Sequence, residues 1–287
     1  MLTITEQGRG DFMIYELNQS DFRKCRKLVN PDGQVEAKAV IRGTNPGRIF
    51  VDDLSDPSTG LIWLGNNDGF IFIGDEQNRQ FTDYISDFID TVIKAEAEKE
   101  ELSWFEGMGN HQRWDRVLDD LFKDRETSSW KQIVFTLKDK HDLPPLPQLI
   151  PSNYQLKEIT PDFYYNSDYA IHNSSFLRSK IDTFWSTSQA FFDNGIGYCI
   201  VGDNSVVSLC FSSFVYKNTF CIDIETVTSH QNKQLAQFAA YAFVQMCIYE
   251  NLTPYWDCME SNTVSQKVAK KIGLTESFSY KGIEFSF

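Results

Sequence analysis

The sequence predicts an α+β protein of two lobes, and three observations carry that expectation. Short strand-like runs cluster within each half and amphipathic helical stretches flank them, the order expected when helices pack on a largely antiparallel sheet. Four of the nine prolines fall within His141–Asn153, where they exclude helix and central strand and leave an extended connector. Aromatics make up 14% of the 287 residues, 23 of them Phe, which is enough apolar side chain to fill a sizeable core. These features divide the chain into a first α+β lobe over 1–140, a Pro-rich connector over 141–152 and a second lobe over 153–287.

In the first lobe Val35–Ile41, Arg48–Asp52, Gly60–Leu64 and Phe70–Gly74 read as short strands, separated by Asn-Pro-Gly, Asp-Pro-Ser and Asn-Asn-Asp-Gly turn clusters. Phe81, Tyr84, Ile85, Phe88, Ile89, Val92 and Ile93 then recur at three- and four-residue steps, predicting an amphipathic helix whose acidic tail Glu96–Glu101 faces solvent. Trp114, Val117, Leu118, Leu121 and Phe122 repeat the pattern, and Ile133–Leu137 closes the lobe as a strand. Trp104, Phe105 and Trp114 read as core rather than as a ligand platform.

The second lobe opens with strand-like Tyr154–Ile159 and helical stretches through Asp168–Arg178 and Trp185–Phe192. Strands follow at Gly197–Val201, Val206–Phe214 and Phe220–Val227, then an apolar helix at Lys233–Tyr249 and a strand at Thr253–Cys258. A helix at Thr263–Ile272 has Asn262 as its N-cap and Gly273 just past its end, and strands near Glu276–Tyr280 and Ile283–Phe287 finish the chain. Gln77-Asn78-Arg79-Gln80-Phe81 follows a strand and opens a helix just as Gln231-Asn232-Lys233-Gln234-Leu235 does, so the first lobe is a candidate degenerate copy of the second.

A net charge of −13 without a basic run repels phosphate backbones and argues against nucleic acid as a partner, while it favours cationic ligands such as amines. The six cysteines show no CxxC pair and no ligand-like spacing to histidine, so they read as buried free thiols and no metal site is expected. Met1–Gly10 lacks the apolar core of a signal peptide, and the longest apolar stretch, Phe238–Tyr249, is too short to span a bilayer. The expectation is a soluble chain in the reducing cytoplasm with no membrane partner.

The residues with chemical promise gather at 219–249. A strand that turns directly into a helix presents unpaired backbone N–H groups at one point, backed by the positive end of the helix dipole, and that is a place to hold a phosphate. Along Thr219–Val227, alternation puts Cys221, Asp223, Glu225 and Val227 on one face. The two carboxylates either face water or serve an ammonium substrate. In the second case Glu225 takes the proton, directly or through water, with partial burial and the neighbouring carboxylate raising its pKa.

Gln231-Asn232-Lys233-Gln234-Leu235-Ala236 is similar to the Arg/Gln-x-x-Gly-x-Gly/Ala signature of the GCN5-related N-acetyltransferases (GNAT). Asn262-Thr263-Val264-Ser265 with Lys271-Ile272-Gly273-Leu274 resembles that family's Asn-x-x-Ser/Ala and Lys-x-Gly-Phe helix. The resemblance implies a GNAT-like mixed, mostly antiparallel sheet flanked by helices, with acetyl-CoA as co-substrate. It implies that Thr226 and Val227 offer backbone groups to the pantetheine arm and that Gln231, Asn232, Lys233, Gln234, Leu235 and Ala236 cradle the pyrophosphate. Asn262 and Ser265 would contact the arm, and Asp223, Trp256 and His172 would face the acceptor. The chain departs from the pattern at Asn232 and Gln234, where the family carries Gly, and at Ala269, where many members place a general-acid tyrosine. At 234 the side chain crowds the phosphate, or else the backbone is ordinarily helical and needs no Gly.

Val51-Asp52-Asp53, Leu61-Ile62-Trp63, Asn194-Gly195-Ile196-Gly197, Ile224-Glu225-Thr226, Gln231 to Ala236 and Pro254-Tyr255-Trp256-Asp257-Cys258, in that order, resemble the two-lobe bacterial subgroup that includes the zwittermicin A resistance enzyme. The activity implied is transfer of an acetyl group to a primary amine of a small molecule, by direct attack in a ternary complex. The alternative is a non-catalytic CoA- or ligand-binding module with a degenerate fold, to which Asn232, Gln234 and Ala269 point.

Overall fold

The computed structural model describes residues 14–65, 69–139, 143–145, 149–165 and 171–287. Met1–Gly10, the Asn-Asn-Asp part of one turn, parts of the connector and the start of the Asp168–Arg178 stretch lie outside the described residues.

The first half contains β1 (Tyr15–Glu16), a 3-10 segment Gln19–Lys27, α1 (Val35–Arg42), β2 (Arg48–Val51), β3 (Thr59–Trp63) and β4 (Gly69–Gly74). It continues through α2 (Arg79–Phe88), a π turn Ile89–Ile93, α3 (Lys94–Ala97), β5 (Trp104–Gly109), α4 (Arg113–Leu121) and β6 (Ser128–Thr136). The second half runs β7 (Tyr154–Glu158), α5 (Pro161–Tyr165), α6 (Ser174–Phe184), α7 (Ser188–Asn194), β8 (Gly197–Gly202), β9 (Ser205–Tyr216) and β10 (Thr219–Thr226). It ends with α8 (Leu235–Tyr249), β11 (Thr253–Met259), α9 (Thr263–Lys271) and β12 (Thr275–Ser286).

Four local expectations are corrected. Val35–Ile41 is helix α1 rather than a strand: alanines at 37 and 39 favour helix, and Gly43 ends it in the left-handed region at φ 78°. The two terminal strands are one, β12, bulged between Glu276 and Phe278. Helix α8 begins at Leu235 rather than Lys233, because Gln234 is left-handed. Trp104 is 47% exposed, whereas Phe105 and Trp114 are buried as expected.

Among the described residues twelve strands join one sheet in the order β1-β2-β3-β4-β5-β12-β6-β11-β10-β9-β8-β7. The pairings are antiparallel except for β4 with β5 and β10 with β11. The order repeats about the centre of the sheet. Each half contributes an antiparallel run, then a parallel partner (β5 or β11), and then a strand that crosses to the other half. Thus β12 separates β5 from β6, and β6 separates β12 from β11. The first lobe is therefore a structural counterpart of the second, and the two exchange their last strands.

The core follows this arrangement. One cluster wraps the second half from α6 to α8, and an aromatic one fills the first half, where Phe70 stacks on Phe105 at 4.4 Å and Phe105 on Phe285 at 4.9 Å. Between them α1 packs on β9, and Asn45 crosses the join. Its buried amide donates to Phe184 O and Ser213 O and accepts from Val215 N, which satisfies a polar group that would otherwise be costly to bury. All six cysteines are buried and free. Among the described residues no helix is long and apolar enough to cross a membrane.

Candidate active site

The parallel ladder between β10 and β11 covers only Thr219–Ile222 against Thr253–Trp256. Beyond those residues β10 remains paired with β9 as far as Thr226, and β11 with β6 as far as Met259, but the two no longer pair with each other. A gap opens in the middle of the sheet. A bulge in the β9–β10 ladder between Phe220 and Ile222 bends the strand just where the gap begins. The amide of Val227 is held by Val207 O at 2.9 Å, and its carbonyl accepts from His230 N at 2.8 Å. Both backbone groups of Val227 thus have a partner within the protein, and its carbonyl keeps a second lone pair. Alternation turns the backbone groups of Ile224 and Thr226 to the open edge.

The chain leaves β10 through the 3-10 turn Thr228–His230 and reaches α8 by two left-handed residues, Asn232 at φ 61° and Gln234 at φ 62°. Among the described residues the amides of Asn232, Lys233, Gln234, Leu235 and Ala236 have no backbone partner, and they lie at the N-terminus of a fifteen-residue helix. Gln234 is thus not in the ordinary helical conformation that was one of its two expected states. The loop keeps the backbone shape that glycine usually serves, with side chains in its place. Left-handed non-glycine residues cost about 1 kcal/mol or more each, less for Asn. Gln234→Gly is expected to stabilise the protein by up to about 1 kcal/mol, because relief of this strain exceeds the entropy cost of Gly, whereas Gln234→Val should destabilise by about 1–2 kcal/mol. Urea midpoints at unchanged slope check both, and equal midpoints for the two variants would refute the strain argument.

Side chains brace this loop. Gln231 Nε2 donates to Thr226 O at 3.2 Å, and the Thr226 hydroxyl meets that of Ser208 at 2.8 Å. Lys233 Nζ donates to Tyr154 OH and to Ser229 O, both at 3.1 Å, and Tyr154 OH lies 3.0 Å from His230 Nδ1. Tyr154 escaped the sequence reading, since nothing local ties β7 to a loop 76 residues away.

Asp223 and Glu225 project together, as alternation predicts, toward α6. Glu225 forms an ion pair with Lys180 of that helix. Burial pushes the Asp223 carboxyl up to about 6, the Lys180 ammonium opposing and the Glu225 charge adding to the shift. Trp256 is only 1% exposed and its Nε1 donates to Ser265 Oγ at 3.0 Å, so it walls the site and is not open to an acceptor. Asn262 Oδ1 accepts from Ser265 N at 3.0 Å as the cap of α9. His172 is exposed beside the β8–β9 turn, its amide on Asn204 O at 2.9 Å. Ala269 is fully buried and brings no hydroxyl to the site.

The corresponding place in the first lobe differs in its loop rather than in the length of its parallel ladder. There β4 and β5 pair over Gly69–Phe72 and Glu106–Gly109, and Asn110 N continues the ladder to Phe72 O at 2.8 Å. Its loop holds its own side chains. Asp75 accepts from Gln77 N, Glu76 is paired with Arg113 at 3.0 Å, and Asn78 donates to Asp52.

A central gap between two parallel strands thus lies beside a helix N-terminus whose amides have no backbone partner among the described residues. The GNAT acetyltransferase family profile matches residues 26–283, and the chain belongs to this family. It is 27% identical over 243 residues to the uncharacterized N-acetyltransferase YdfB of Bacillus subtilis (strain 168), covering 84% of this chain and 87% of that protein. A GCN5-related N-acetyltransferase-like protein from Streptococcus suis 89/1591 superposes with a TM-score of 0.68 at 20% identity, covering 92% and 98% of the two chains. A tandem GNAT protein from the clavulanic acid biosynthesis pathway gives 0.56 at 12% identity, covering 96% and 98%. The two-lobe GNAT fold is common to them.

Proposed function

We propose that the chain moves an acetyl group from acetyl-CoA to a primary amine of a small molecule, by direct attack in a ternary complex. The observation that carries this reading is the gap beyond Ile222 and Trp256, which ends at the free amides of residues 232–236. Those residues suit the co-substrate. The amides and dipole at the α8 N-terminus match a pyrophosphate, the open edge at Ile224 and Thr226 matches an amide-bearing arm, and Asn262 stands on the opposite lip. Acetyl-CoA, when bound, supplies a thioester whose carbonyl carbon is open to attack by a neutral amine.

The chain's own task is to deliver that amine unprotonated. A carboxyl that titrates at about 6 is largely ionised at pH 7 yet basic enough to accept a proton, and this describes Asp223. We therefore assign the base to Asp223 and not to Glu225, whose carboxylate is engaged by Lys180. Glu225 and Lys180 become positioning residues. Ala269, in the place of the tyrosine, brings no hydroxyl to protonate the thiolate of CoA, a proton that water would supply.

Free thiol release from acetyl-CoA across a panel of primary amines tests the activity. CoA binding with no turnover of any amine would establish the second reading, a binding module, which Ala269 favours. Calorimetry is expected to find one equivalent of CoA per chain, since the first-lobe loop is occupied by its own side chains, with Glu76 paired to Arg113. Two equivalents would contradict that assignment.

A further inference from the structure

The loop from Gln231 to Ala236 contains no glycine, yet Asn232 and Gln234 are both left-handed. Strain of this kind persists only where the surroundings over-determine the backbone. Lys233, between the two, supplies the restraint. Its ammonium donates to Ser229 O and to Tyr154 OH, both at 3.1 Å, and lies 5.8 Å from the centre of the Tyr154 ring. The first bond closes the loop on itself. The second ties it to β7, the strand that ends the order of the sheet.

An ammonium has only donors, so the Tyr154 oxygen accepts from Lys233 and keeps its own hydrogen for His230 Nδ1 at 3.0 Å. One hydroxyl thus uses both its roles on residues that flank Gln231 and Asn232. The His230 ring stands edge-on to that of Tyr154 at 5.8 Å, which fixes the approach of both.

The rest of Tyr154 is shaped to reach the loop. It is 7% exposed, its amide is held by Pro151 O at 2.9 Å, and it faces Gly202 across the β7–β8 ladder. A Cβ at 202 would lie 2.6 Å from Cε1 and 2.7 Å from Cδ1 of the ring, so a side chain there would push the ring off its place. The ammonium of Lys233 is engaged by this arrangement, which leaves phosphate to the backbone amides and the helix dipole.

We infer that Tyr154 is a positioning residue for the phosphate end of the co-substrate. Through Lys233 and His230 it holds the amides of residues 232–236 in their binding shape before the ligand arrives, which lowers the cost of ordering them. Lys233 serves this shape through its bond to Tyr154 and not through contact with phosphate. The inference rests on the acetyl-CoA reading of the site.

Tyr154→Phe tests it, because it keeps the ring against Gly202 and removes only the hydroxyl. Calorimetry with CoA is expected to show a loss of at least about fivefold in affinity when Lys233 is present, and of less than about twofold when Lys233→Met is already in place, since one interaction is lost only once. In turnover the loss should fall in KM for acetyl-CoA rather than in kcat. S-acetylpantetheine carries no phosphate, so its kcat/KM should change by less than about twofold, which also shows that the variant is folded. A smaller loss with Lys233 present, a loss of similar size in the Lys233→Met background, or a similar loss with S-acetylpantetheine would overturn the assignment. A wild-type chain that binds no CoA would overturn it together with the acetyltransferase reading. CoA binding without turnover of any amine would overturn that reading alone, and the calorimetric comparison would still decide the role of Tyr154.

Discussion

Asp223→Asn is expected to lower kcat by about 10²–10⁴-fold while leaving CoA affinity within about twofold, the signature of lost general-base assistance. The wild-type rate should fall on the acid side with a midpoint near pH 6, set by the buried Asp223 carboxyl, and that limb should vanish in the variant. At high pH, where the amine loses its proton unaided, the variant should recover. Glu225→Gln, by contrast, should cost less than about tenfold, since Glu225 acts only through its pair with Lys180. The reverse ranking of the two variants would return the base to Glu225.

The same substitution should stabilise the fold. Below about pH 4 the carboxyl is protonated in both the folded and unfolded chains and contributes no difference. Between about 4 and 6 the unfolded chain ionises first, so the native state loses stability as pH rises, and above 6 the whole cost of a buried charge is present. The rise of the Asp223 carboxyl to about 6, discounted for partial solvent screening, predicts that Asp223→Asn adds about 1–2 kcal/mol at pH 8 and almost nothing at pH 4. Urea midpoints at the two pH values measure this directly. A stabilised but slow enzyme is what a group held in place for chemistry should leave behind.

What the sequence made legible was local. The turn from a strand into α8, the two carboxylates on one face of β10 and the Asn262 cap each follow from a few consecutive residues whose period or capping chemistry is unambiguous. Val35–Ile41 went astray because Val-Glu-Ala-Lys-Ala alternates apolar and polar as a strand does, and only the packing of α1 on β9 decides. Strand β5 was not read at all, since Trp-Phe-Glu-Gly-Met-Gly has two glycines and weak alternation; its place between β4 and β12 makes it a strand. Lys180 and Tyr154 reach the site from distant elements, beyond any local signal. The left-handed states of Asn232 and Gln234 had no signal either, because without glycine nothing in the sequence marks a positive φ.

The exchange of β6 and β12 is the least local feature, and it sets the second large effect. Phe285 on β12 is buried in the first lobe, stacked on Phe105 at 4.9 Å with the Arg125 guanidinium over its other side at 4.5 Å. Its replacement by Ala should cost about 3–5 kcal/mol, the usual range for a buried Phe. The same strand also flanks β6, which in turn pairs with β11 beside Trp256, so loosening it removes support from both halves of the sheet. The full chain is therefore expected to unfold in one transition, with the far-ultraviolet signal of the whole protein and the fluorescence of its tryptophans shifting together in Phe285→Ala. Truncation after Leu274 should leave neither lobe folded, because β5 and β6 lose their shared partner and both present bare edges prone to aggregation. If the truncated chain instead keeps a cooperative transition and still binds CoA at the α8 loop, the second lobe stands without its exchanged strand, and the joined sheet is only a contact between independent domains.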